Sequence, residues 1–152
     1  MQTLKVGLLG TSLKSHTAII TDSGNEPYLT TTTSQIARAI TSILSHPAET
    51  ANKYLMVTSW ITTEKKVLDA LETATKTKWD VRHVTSDQRL KEGLELLAKG
   101  NFMGIGNLWN VWCHADGKGH VVEEGALANE MLGLPEEDLE GVVGEIVASV
   151  GI

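Results

Sequence analysis

Trp79-Asp80-Val81-Arg82-His83-Val84-Thr85-Ser86-Asp87-Gln88 decides the fold class. Its first four residues alternate apolar with polar and, with His83-Val84, predict a strand over 79–84. Thr85 and Gln88 stand at the spacing of a capping box. The helix they open carries Leu90, Leu94, Leu97 and Ala98 as its expected inward stripe, and Gly100 follows at the C′ position that glycine favours.

Working outward, the same alternation of strand and helix recurs. Thr17-Ala18-Ile19-Ile20 is a β-favouring run ended by the turn residues Asp22-Ser23-Gly24-Asn25. Thr30 to Thr33 offer N-caps ahead of Ile36, Ala37, Ile40, Ile43 and Leu44, which predicts an amphipathic helix over 33–45. His46-Pro47 stops it, because the residue before proline is pushed out of the α region. Tyr54-Leu55-Met56-Val57 is continuously apolar and reads as a strand covered on both faces. Thr62 or Thr63 opens a helix with Val67, Leu68, Leu71 and Ala74 inward. Pro135 is expected at the first position of a terminal helix that buries Leu139, Val142, Val143, Ile146 and Val150. The prediction is an α/β fold with a small, mainly parallel sheet and flanking helices. No repeat, low-complexity tract or charge block divides the chain, so residues 1–152 are expected to form a single domain.

Composition narrows the function. With 13 Lys plus Arg against 19 Asp plus Glu, the net charge is −6, so the chain lacks the cations that a nucleic acid or an anionic membrane requires. Cys113 is the only cysteine, which excludes an internal disulfide and a thiolate-rich metal site. No run approaches the ~20 apolar residues of a membrane span. The apolar N-terminal patch, Met1 to Gly10, is too short for a signal peptide and is expected to pack inside a cytoplasmic protein.

Residues 101–124 stand apart. The run from Asn101 to His114 holds the only phenylalanine, two of the four tryptophans and the only cysteine. Aromatic walls with a few polar groups suit a small-molecule pocket, with a core helix followed by a solvated loop as the alternative. The pocket reading assigns Trp109, Trp112, Phe102 and Met103 to the substrate, and His114, Asp116 and Asn107 to hydrogen bonding or proton transfer. His114-Ala115-Asp116 with His120 matches no metal-binding spacing, and no metal is expected. Cys113 beside His114 is a poor nucleophile–base pair, since adjacent side chains diverge. His16, His46 and His83 are read as structural. Gly7-Leu8-Leu9-Gly10 and Gly104-Ile105-Gly106 both lack the third glycine of a dinucleotide fingerprint, so no cofactor is expected.

Four further runs carry a resemblance: Asp22 to Pro27 leading to Thr31-Thr32-Thr33, Pro47 to Tyr54, Leu97 to Phe102, and Leu132 to Leu139. Together they resemble the C-terminal half of fungal NmrA-like proteins, which are similar to isoflavone reductase and phenylcoumaran benzylic ether reductase. The resemblance implies a truncated version of the atypical short-chain dehydrogenase fold. In the full-length proteins the other half carries the NADP loop and, in the reductases, a catalytic lysine; this chain is expected to begin after both. It also implies that residues 103–124 line the substrate pocket. The expected function is a cofactor-independent cyclase, isomerase or dehydratase of fungal specialised metabolism acting on a largely apolar small molecule. The alternatives are a non-catalytic ligand-binding or regulatory remnant, or an NADP-dependent oxidoreductase completed by a partner chain. Half of such a sheet exposes an edge and apolar faces, which predicts a homodimer.

Overall fold

A short oxygen-bearing side chain opens most of the helices. Thr32 accepts from the Gln35 N–H at 2.9 Å and opens α1 (Thr33–Ser45). Pro47 starts the single turn α2 (Pro47–Thr50). Thr63 caps α3 (Glu64–Thr75) through the Lys66 N–H, and Thr85 caps α4 (Ser86–Ala98) through the Gln88 N–H. After α5 (Gly104–His114), Asp138 caps α6 (Leu139–Val150) by accepting from Glu140 and Gly141. Each such cap contributes about 1 kcal/mol. These elements belong to a computed structural model that describes residues 10–119 and 126–151. The expectations for residues 1–9 and for His120 lie outside the described residues.

The fold is α/β, as the alternating pattern predicts, and its sheet is mixed. β2 (Thr17–Thr21) lies between β1 (Thr11–Ser12), which is antiparallel to it, and β5 (Asp80–Val84), which is parallel. The parallel register runs from Thr17 opposite Asp80 to Thr21 opposite Val84. β3 (Tyr28–Thr30) and β4 (Trp60–Thr62) form a separate antiparallel pair. The main core fills the space where α3 meets α6 and β2, with Ala18, Val67, Leu71, Trp79, Val143 and Val147 buried. The inward faces expected for α3 and α6 are those observed. A smaller cluster of Ala39, Ala128 and Leu132 sits under α1.

Several expectations are corrected. The run Tyr54 to Val57 is not a covered strand: Tyr54 is exposed, and its neighbour Met56 makes a single bridge to Leu127. Pro135 does not begin α6. Its carbonyl accepts from Gln35 Nε2, and Asp138 takes over the helix start because its carboxylate satisfies two free N–H groups. On α4, Leu90 and Leu94 face outward, and Arg89 and Gly93 are buried in their place. The cause is a close helix–helix contact. A Cβ on Gly104 would lie 2.3 Å from the Gly93 carbonyl oxygen, and a Cβ on Gly93 would lie 2.5 Å from Leu108. The inner face of the α4–α5 hairpin is therefore a tight seam in which Leu96, Leu97 and Leu108 pack against the glycines, and Leu90 and Leu94 turn away from it. Ile36, Ile40 and Leu44 on α1 likewise point out, with Gln35 and Ala39 buried.

Candidate functional site

Five polar or aromatic side chains are sealed where β2 ends. Thr21 closes β2, Glu64 opens α3, Arg89 lies one turn into α4, His114 ends α5 and Tyr28 opens β3. Glu64 is the hub. Its Oε2 accepts the Thr21 N–H at 2.7 Å and its Oε1 accepts the Thr21 hydroxyl at 3.3 Å. Arg89 donates to Thr21 Oγ1 and stands 3.5 Å from Glu64 Oε1. His114 Nδ1 lies 3.0 Å from the same oxygen, off the hydrogen-bond line, and its Nε2 has no partner among the described residues. The His114 ring, 1% exposed, packs 4.4 Å from that of Tyr28. Burial, aided by the Glu64 charge, pushes the Tyr28 hydroxyl well above the ordinary phenol range, so it stays protonated. Burial also pulls the Arg89 guanidinium down, and the Glu64 charge opposes that pull. The carboxyl ends of parallel strands are where open α/β sheets bind ligands. Here, however, the space beside His114 measures about 10 Å³, room for roughly one water and no substrate.

The turn after β2 ties this core to the helical hairpin. Asp22 takes a left-handed backbone conformation (φ 48°), which aspartate tolerates. Its Oδ1 accepts the Ser86 N–H at 2.7 Å and its Oδ2 the Asp116 N–H at 3.3 Å. Burial raises the Asp22 carboxyl, but these bonds outweigh it and hold the group below its usual range. Ser23 donates its hydroxyl to Asp116 Oδ1 at 2.7 Å.

The residues expected to form one site are thus distributed over four places. His114 belongs to the sealed core. Asp116 is held to Ser23, and Asn107 lies against Gly93 within the hairpin. Phe102, Trp109 and Trp112 are 79%, 53% and 61% exposed, with Met103 and Ile105 exposed beside them. Ile105, Trp109 and Trp112 recur at helical spacing and share one outward face of α5, with Phe102 exposed in the turn just before it. Sequence reasoning missed Thr21, Tyr28, Glu64 and Arg89. The one local signal was a pair of glycines inside helical patterns, at 93 and 104, which marks close backbone approach.

A concavity of about 570 Å³ lies between the start of α1 and α6 and has no aromatic wall. Glu137 sits at its edge, accepting from Ser59 at 2.5 Å, Thr32 at 2.7 Å and Arg38 at 2.8 Å. Burial raises its carboxyl, but these donors prevail and hold it below the ordinary value. Among the described residues, no cluster of three metal-ligating side chains occurs and no helix is long and apolar enough to cross a membrane.

Among the described residues, Gly104 offers no cradle for a dinucleotide phosphate. A phosphate cradle needs glycines that leave backbone N–H groups open to the ligand; Gly104 instead spends its missing side chain on contact with Gly93.

No family model matches the chain, and no solved structure does. It is 29% identical over 140 residues to the protein named oxidoreductase aprR of Aspergillus flavus, covering 91% of this chain and 47% of that one. It is 27% identical over 143 residues to oxidoreductase poxI of Penicillium oxalicum, covering 92% and 46% respectively. The chain spans about half the length of the curated relatives it matches, and what it is similar to is one part of a fungal oxidoreductase.

Proposed function

We propose that this chain is the substrate-side part of an oxidoreductase-like protein of fungal biosynthesis, a cytoplasmic domain that holds a largely apolar small molecule against α5 and associates with itself. The observation that carries the reading is the outward stripe of Phe102, Ile105, Trp109 and Trp112. Flat aromatic surface binds apolar rings at low entropic cost. The glycine contact behind it keeps the wall rigid.

A second reading makes the chain a cofactor-independent cyclase, isomerase or dehydratase. The approach of His114 to Glu64 favours it, because a histidine beside a carboxylate is a proton-transfer pair. In this conformation the pair is sealed in the core, at 1% and 5% side-chain exposure, so catalysis requires the surrounding side chains to open. Holding the ligand requires no such step, and for that reason it leads.

Titration with the apolar dye anilinonaphthalene sulfonate, alongside mass spectrometry of apolar fungal metabolites retained by the purified chain, tests both. The expected result is retention that a Trp109→Ala/Trp112→Ala double variant loses while its circular dichroism is unchanged. Equal retention by the double variant refutes the leading reading. Conversion of a retained metabolite without added nucleotide, abolished in His114→Phe, establishes the second. NADPH binding by the chain alone refutes the substrate-side assignment.

A further inference from the structure

We infer that the outer face of the α4–α5 hairpin is a two-fold interface between copies of this chain, and that the second copy supplies the opposite wall of the ligand site. The inference rests on the substrate-side reading for its second clause only. Three observations carry the first.

The face is continuous. In an antiparallel hairpin, residues one step past the contact line on each helix emerge on the same side. Leu94 follows Gly93 and Ile105 follows Gly104, so Leu90 and Leu94 of α4 extend the aromatic stripe of α5 into one apolar sheet of side chains, exposed among the described residues.

The area is that of an interface. Taking ~150–250 Å² for a whole large side chain, the exposed parts of Phe102, Ile105, Trp109, Trp112, Leu90 and Leu94 amount to roughly 500–850 Å². The largest apolar patch on a typical monomer is about 300–600 Å². One partner's share of a standard interface is about 800 Å².

The charges select a second copy as the occupant. Asp87, Lys91, Glu95 and Lys99 are all exposed and recur every fourth residue along α4 with alternating sign. When two such helices meet antiparallel about a two-fold axis, the ladder is read in reverse by its partner. Asp87 then meets the partner's Lys99, and Lys91 meets the partner's Glu95. The pattern complements itself, as an isologous contact requires. Two hairpins packed in this way form a four-helix bundle, whose core between facing helices is a common place for a small-molecule site.

Sedimentation of the purified chain across a range of concentrations tests the inference. The expected result is a dimer for the wild type. Lys91→Glu sets like charges opposite each other twice and is expected to weaken association about tenfold. Adding Glu95→Lys to it restores the complementarity and the affinity. Trp109→Glu, placed on an exposed position so that the fold survives, is expected to give a monomer with unchanged circular dichroism. A wild type that stays monomeric overturns the inference. So does a dimer insensitive to both Lys91→Glu and Trp109→Glu, because its interface lies elsewhere. A dimer that passes the charge-reversal test but retains no apolar molecule upholds the interface and removes only the ligand reading.

Discussion

Replacing Arg89 with leucine withdraws the guanidinium that pairs with Glu64 while leaving that carboxylate sealed. The two side chains are 2% and 5% exposed, so water cannot take the place of the lost guanidinium. Removing one partner of a buried pair costs about 3–5 kcal/mol. Arg89 reaches Glu64 only at 3.5 Å and mainly through the Thr21 hydroxyl, and Glu64 keeps the Thr21 N–H at 2.7 Å. The lower end therefore applies, about 3 kcal/mol. For a chain of this size that corresponds to a fall of roughly 6–12 °C in Tm. Glu64→Leu should cost a similar amount by stranding Arg89. The double variant removes both charges and should cost about 2 kcal/mol less than the two single losses together. Urea unfolding of the four proteins at one concentration, followed by circular dichroism, measures the cycle. A loss under about 1 kcal/mol for Arg89→Leu, or additivity within about 0.5 kcal/mol, would refute the account of the cluster as a coupled ion pair.

His114→Phe keeps the ring contact with Tyr28 and removes the nitrogen beside Glu64. Because Glu64 retains Thr21, the expected loss is about 1 kcal/mol by urea unfolding, and a loss above about 3 kcal/mol would mean that the imidazole is an essential partner. Gly104→Ala drives a methyl group into the Gly93 carbonyl and should cost about 1–3 kcal/mol, whereas unchanged stability would show that the hairpin has slack. Glu137, held below its ordinary value of 4.5, stabilises the fold above that pH, and its contribution is lost as pH falls through the lower folded value. Glu137→Gln should therefore reduce stability at pH 7 by about 1–3 kcal/mol and flatten the decline on acidification below 4.5; an unaltered decline excludes Glu137 as its source.

The local half of the structure was legible because its causes are local. Thr85 caps α4, Gly100 ends it with φ +73°, and β5 alternates at its start, all through residues close to one another in sequence. The inward stripe of α3 could also be read, since the core and the helical period agree there. The orientation of α1 and α4 could not. Periodicity identifies an apolar face but not the direction in which it points, and here Gly93 and Arg89 decide for α4 by claiming the inner side. The candidate site was legible in composition alone: the aromatic run is indeed unusual, but whether Trp109 and Trp112 line a cavity or an open face depends on what lies opposite. The Glu64–Arg89 cluster joins residues separated by 25 to 68 positions, and no spacing rule reaches that far.

The Asp22 carboxylate grips the root of the hairpin from both sides, one oxygen on the start of α4 and the other just past the end of α5. At the opposite end, the backbone hydrogen bonds of residues 99–103 stay within the hairpin among the described residues. Clamped at one end and stiffened along its length by the glycine seam, the pair of helices is a cantilever.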